Sequence, residues 1–144
     1  MIQRDKTDSI VVHCSQTPKS MDIGVDKIAQ WHIQDNGWED VGYHWIIKRD
    51  GTIESARPED MQGAHAPAAN HRSVAVCLIG GSQDDGKGWE NNFTDEQFES
   101  LKNKVIDIQD RYEITHIIGH RDVDDKKECP AFDVGEWATD NGLV

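Results

Sequence analysis

The sequence predicts a mixed α/β fold, one domain over residues 1–144 with a central mixed β-sheet flanked by helices. Three observations carry this. Short β-branched runs interleave with helical patterns along the chain. Two of the runs bracket the turn pair Asp50-Gly51, which makes them antiparallel neighbours. A third run, "SVAVCLIG" (73–80), is apolar throughout and bounded by glycine, as a strand buried on both faces requires.

The elements follow in order. "SIVVHC" (9–14) reads as a short strand. "VDKIAQWHIQDNG" places Val25, Ile28 and Trp31 at helical spacing, with Gly37 as the C-terminal stop. "GYHWIIKRDGTIES" is the hairpin and "SVAVCLIG" the central strand. "GGSQDDGKGWENN" (80–92) has the Gly, Asp and Asn content of a surface loop. In "TDEQFESLKNKVIDIQDRY", Thr94 and Gln97 stand at capping-box spacing, and Phe98, Leu101, Val105 and Ile108 share one face of the longest helix. "THIIGH" is a strand that delivers His120 just past its end, and "DVGEWATDNG" is a last helix with Asp133 as N-cap and Gly142 beyond its C-terminus.

Composition bounds the function. A chain of 144 residues buries about two thirds of the surface its unfolded form exposes and needs no covalent staples. With 27 acidic against 15 basic residues the net charge is −12, which argues against nucleic acid or an anionic membrane as partner. The mixed-charge start "MIQRDKTDSIVVHC" carries no secretory signal or membrane span, so a cytoplasmic protein is expected. Three cysteines, Cys14, Cys77 and Cys129, are too few and odd in number for a disulfide framework. No coiled-coil seam or spare apolar helix face stands out, so a monomer is expected.

The chemistry gathers at strand ends. His13 closes the first strand, His120 follows a late one, and Cys129 sits on a loop that Pro130 can bend back. Two imidazoles and a thiolate are zinc ligands, and three protein ligands with a fourth position open is the catalytic pattern. The same donors disfavour magnesium and calcium. Spacing alone leaves the ordinary reading open for each residue, a hydrogen-bonded structural histidine or a small core cysteine.

Four blocks, "VHCSQT", "QDNGWEDVGYHWIIKRDGTI", "GAHAPAANHRSVAVCLIGG" and "GHRDVDDKKECPAFD", occur in this order over about residues 9 to 138. Together they resemble the zinc-dependent N-acetylmuramoyl-L-alanine amidases of the amidase-2 and peptidoglycan-recognition superfamily, most closely its phage lysozyme branch. The resemblance implies that fold, a Zn2+ held by His13, His120 and Cys129, and catalytic roles for Tyr43 and Lys127. It implies a substrate contact at His65. The expected activity is that of a phage endolysin, cleavage of the amide between muramic acid and the L-alanine of a peptidoglycan stem. No separate wall-binding domain is expected, and the enzyme would wait in the host cytoplasm until a holin releases it to the periplasm and cell wall. His32, His44, His71 and His116 are assigned packing or hydrogen bonding, and the five tryptophans core or rim positions.

Ala68, Ala69 and Ala75 depart from the family pattern where glycine is common, and their methyl groups are expected near the groove wall. Other classes stay open: a recognition module without catalysis, a regulator that binds a phage RNA polymerase, or a cytoplasmic muropeptide-recycling amidase. Relatives of the last kind more often use aspartate as third ligand, so Cys129 speaks for the endolysin.

Overall fold

The computed structural model describes all 144 residues. Its strands are β1 (Ser9–Cys14), β2 (Trp45–Ile47), β3 (Ile53–Ser55), β4 (Ser73–Leu78) and β5 (His116–Gly119). They form one sheet in the order β3-β2-β4-β1-β5. β1 is parallel to both β4 and β5, β2 is parallel to β4, and β2 and β3 are the antiparallel hairpin. The expected mixed sheet is therefore present, with β1 and β4 at its centre. Every residue of these two strands is buried.

The hairpin turn explains its dipeptide. Lys48 and Thr52 close it by a backbone bond of 2.9 Å, and Gly51 takes φ +90°, a conformation that a side chain would resist. The Asp50 carboxylate accepts from the Thr52 N–H at 2.9 Å, an Asx-type bond that fixes the bend.

Helices cover one face. α2 (Asp95–Arg111) and α3 (Val134–Asp140) lay Leu101, Val105, Ile108, Val134 and Ala138 on Ile10, Val12, Val74, Val76 and Leu78. Burying each Leu, Ile or Val side chain contributes about 1.5–3 kcal/mol. Phe98, expected on that buried face, is only half-buried and makes edge-on contacts with Phe93 and Phe132 at the rim. Gln97 takes the deepest position instead. Its amide donates to the Ile47 carbonyl at 3.1 Å and to the Ile79 carbonyl at 2.9 Å, and its oxygen accepts from the Thr94 N–H at 3.0 Å. The capping box thus doubles as a polar pin between the helix and two strand ends.

The opposite face is covered by α1 and by the segment 56–72. α1 (Val25–Ala29) does not continue as one α-helix to Gly37 as expected. From Gln30 to Asp35 it widens into a π-helical turn, with the Asn36 N–H on the Trp31 carbonyl at 3.1 Å. The wider turn brings His32 within 4.5 Å of the Trp38 ring and 5.4 Å of the Tyr43 ring, centroid to centroid. Gly42 then donates its N–H to His32 Nδ1 at 2.9 Å, which fixes the approach to Tyr43. Such π turns recur at functional sites.

His44 is fully buried on this face. Its Nδ1 accepts from the Ala75 N–H at 2.9 Å and its Nε2 donates to the Met61 carbonyl at 2.7 Å, so the ring is neutral. Burial lowers its pKa from 6.5 to about 4. Between those values the unfolded chain binds a proton that the folded one refuses. The neutral ring therefore contributes stability that is complete above pH 6.5 and is lost as pH falls toward 4, by about 1.4 kcal/mol per unit. Chemical denaturation measured across this range is expected to include that slope. His44→Asn, which keeps an acceptor for Ala75 but does not titrate, is expected to reduce the total by that amount, the rest coming from other histidines whose pKa burial lowers, His65 among them. In the same assay at pH 7, Gln97→Ala is expected to cost about 2 kcal/mol because it removes two buried hydrogen bonds, although the Ile47 carbonyl keeps the Ile79 N–H and the Ile79 carbonyl keeps Arg49. Thr94→Ala is expected to cost about 1 kcal/mol as a lost cap.

Candidate metal centre

Register builds the site. Val12 pairs with Gly119 across the parallel β1–β5 ladder, so the next residue on each strand, His13 and His120, emerges side by side. Their ring centroids are 4.5 Å apart.

The third donor comes from the loop after β5. His120 opens a short 3-10 turn through Asp122, and the chain folds back so that the Arg121 N–H donates to the Cys129 carbonyl at 2.8 Å. Internal bonds from Asp124 N–H to His120 and from Lys127 N–H to Asp124 brace the loop. Gly119 permits the closure: a Cβ there would stand 2.9 Å from Pro130 Cδ and 3.1 Å from a Val134 methyl. One ligand atom from each of His13, His120 and Cys129 then lies within 4.8 Å of the others, the only such cluster in the chain.

Local electrostatics suit these atoms to a metal. Cys129 is held well below the usual thiol range by hydrogen bonding with Cys14 and by His120 and His13 beside it, while Cys14 is pushed up. The Cys14 N–H donates to the Cys129 sulfur at 3.1 Å. The thiolate is the form that binds metal. Burial lowers His13, which favours the neutral imidazole that a ligand needs.

The three residues line an open depression of about 190 Å³ together with Tyr43, Lys127, Ser15, Gln16 and Trp89. The Tyr43 ring lies 5.1 Å from that of His13, and burial raises its pKa well above the ordinary phenol, so it stays protonated. Lys127 is exposed at the rim and is the one Lys or Arg among the lining residues.

His65, expected as a substrate contact, lies behind His13. It is 8% exposed, and its ring nitrogens are engaged by protein groups: Nδ1 by His13 Nε2 at 2.8 Å and Nε2 by Ser73 Oγ at 3.2 Å. Burial lowers its pKa well below the ordinary value. Its outer edge borders a second depression with Trp38, Ala64, Pro67 and Asn70.

Other expectations divide. Trp31, Trp45 and Trp137 pack against the core, but Trp89 lines the candidate metal pocket and Trp38 is 39% exposed beside the second depression. Ala68 is exposed and Ala69 is packed with Val11 and Ala66, both beside a depression lined by Arg72, Ile118 and Val123, whereas Ala75 lies inside the sheet against His44. His71 is exposed, and His116 meets Thr115 at 2.9 Å. Gln16, with a left-handed φ of 54°, reaches the Lys87 carbonyl at 3.4 Å and so links the end of β1 to the Trp89 loop. Its place after His13 was a signal for it; Trp89 had none.

Comparison with known proteins agrees with this geometry. The family model described as N-acetylmuramoyl-L-alanine amidase matches residues 3–132. The endolysin of Escherichia phage T7 is 47% identical over 142 residues, covering 99% of this chain and 92% of that protein. Among solved structures, the endolysin amidase LysCS from Clostridium intestinale superposes with a TM-score of 0.81 at 29% identity, over 96% of this chain and 86% of that one. Wild-type Drosophila PGRP-LB superposes with a TM-score of 0.76 at 26% identity, over 96% and 84% of the two chains. A family match over most of the chain, the shared fold and the strand-end cluster converge, and the chain belongs to the N-acetylmuramoyl-L-alanine amidase family.

Proposed function

We propose that this protein is a phage endolysin that cleaves peptidoglycan at the amide between N-acetylmuramic acid and L-alanine, using a zinc ion held by His13, His120 and Cys129. The observation that carries the reading is the convergence of those three donors, within 4.8 Å of one another, at the floor of a depression that also holds Tyr43 and Lys127. Two nitrogens and one sulfur fit zinc, and the open side of the depression leaves a place for water and substrate. When bound there, zinc supplies Lewis acidity, which activates water and polarises the scissile carbonyl.

The remaining chemistry belongs to side chains. Negative charge develops on the carbonyl oxygen as the amide is attacked, and Lys127 is the cation on the pocket wall that can stabilise it. Tyr43, kept as a phenol by burial, can orient the attacking water and hand a proton toward the departing L-alanine nitrogen. Trp89 and Gln16 form the wall on the side of the 80–92 loop and bound the space open to substrate.

Peptidoglycan lies outside the inner membrane, so release from the host cytoplasm by a holin belongs to the same proposal; likeness to phage endolysins supports it. Binding to a phage RNA polymerase has no feature of this site in its favour.

The test combines metal analysis with release of L-alanine amino termini from purified Gram-negative sacculi. Wild type is expected to hold one zinc per chain and to release amino termini; Cys129→Ala is expected to lose both. Lys127→Ala is expected to keep its zinc and lose about a hundredfold in kcat, and Tyr43→Phe to keep its zinc and lose rate. A zinc-loaded wild type that binds sacculi yet releases no amino termini would leave a recognition protein in place of an enzyme.

A further inference from the structure

Resting on the reading of His13 as a zinc ligand, we propose that His65 and Ser73 form a buried proton relay that sets the tautomer of His13, with His65 a positioning residue rather than a substrate contact. The chain of bonds begins at a group whose role is fixed. The Ala69 carbonyl can only accept, and Ser73 Oγ stands 2.7 Å from it, so the single hydroxyl proton goes there. Ser73 Oγ is then an acceptor toward His65 Nε2 at 3.2 Å, which places the proton of the neutral His65 ring on Nε2. His65 Nδ1 is left bare, and its partner at 2.8 Å, His13 Nε2, must carry a proton. In a neutral His13 the remaining nitrogen, Nδ1, therefore presents a lone pair.

The opposite arrangement is equally definite. If Ser73 turned its proton toward His65, every bond in the chain would reverse and Nδ1 of His13 would carry hydrogen, unable to bind a metal. The shorter contact to the carbonyl, 2.7 Å against 3.2 Å, favours the ligating state. Burial of all three residues (His13 1%, His65 8%, Ser73 0%) keeps water from relaxing the chain. Partners that orient metal-bound histidines in this way typically account for about 10–100-fold in metal affinity.

The deciding measurement is zinc affinity by chelator competition, with wild type and Cys129→Ala as references. His65→Phe removes the acceptor for His13 and is expected to weaken zinc binding by about 10–100-fold. His65→Asn, whose carbonyl oxygen falls near the position of Nδ1, is expected to stay closer to wild type. Ser73→Ala, a small change in a buried strand, is expected to weaken binding without loss of fold. Nitrogen-15 spectra of the zinc-free protein are expected to show both His13 and His65 protonated at Nε2. Should the wild type fail to bind zinc, the metal reading itself falls. Should it bind one zinc while His65→Phe and Ser73→Ala bind equally tightly, the relay alone is overturned, and a rise confined to KM would return His65 to the role of a substrate contact.

Discussion

The parallel pairing of β1 with β5 is the constraint on which the site depends. Once Val12 stands opposite Gly119, the next side chains of both strands must leave the sheet together. A slip of one residue would turn His13 or His120 toward the helix-covered face. That register is held by core residues away from the donor cluster, Ile10 and Ile117 packing beneath α2 and α3, so the candidate metal centre inherits its precision from the hydrophobic core. The loop to Cys129 adds the third donor only because Gly119 lets Pro130 pass close by.

A second constraint lies in side-chain volume along β4. Its residues alternate between Val74, Val76 and Leu78, which fill the core under the helices, and Ser73, Ala75 and Cys77 on the other face. The small residues make room for imidazoles. His65 meets Ser73, His44 meets both backbone groups of Ala75, and the two rings stand edge to face with centroids 6.2 Å apart. Each neutral ring has one nitrogen accepting and one donating, which is why a layer this rich in buried histidine leaves no buried polar side-chain atom without a partner.

The sequence was legible where local chemistry decides the outcome. Asp50-Gly51, the Thr94–Gln97 capping box and the Asp133 N-cap act within a few residues, and all appear in the structure. His13 and His120 were visible as strand-end residues, and likeness of the surrounding blocks to a family supplied what spacing could not. Illegible features are those whose partners are distant in sequence. Gln97 reads as a cap, yet its second role depends on the carbonyls of Ile47 and Ile79. "SVAVCL" reads as uniformly apolar, because periodicity of polarity is blind to periodicity of volume. Trp89 reads as one more loop tryptophan until the loop is folded back beside His120.

These features divide the labour between sheet and loops. The strand-end histidines stand on the most buried part of the molecule, whereas Cys129, Lys127 and Trp89 come from loops. Rigid strands fix donor geometry well, and loops can carry the groups that meet a bulky substrate. The 121–129 loop must do both, since it bears one donor, Cys129, and the rim cation, Lys127, two residues apart. Its backbone bonds from Arg121 to Cys129 and from Lys127 to Asp124 tie the two functions to one closed turn. Binding of a metal at Cys129 would hold the same turn that carries Lys127, so it would also order the cation at the rim of the depression.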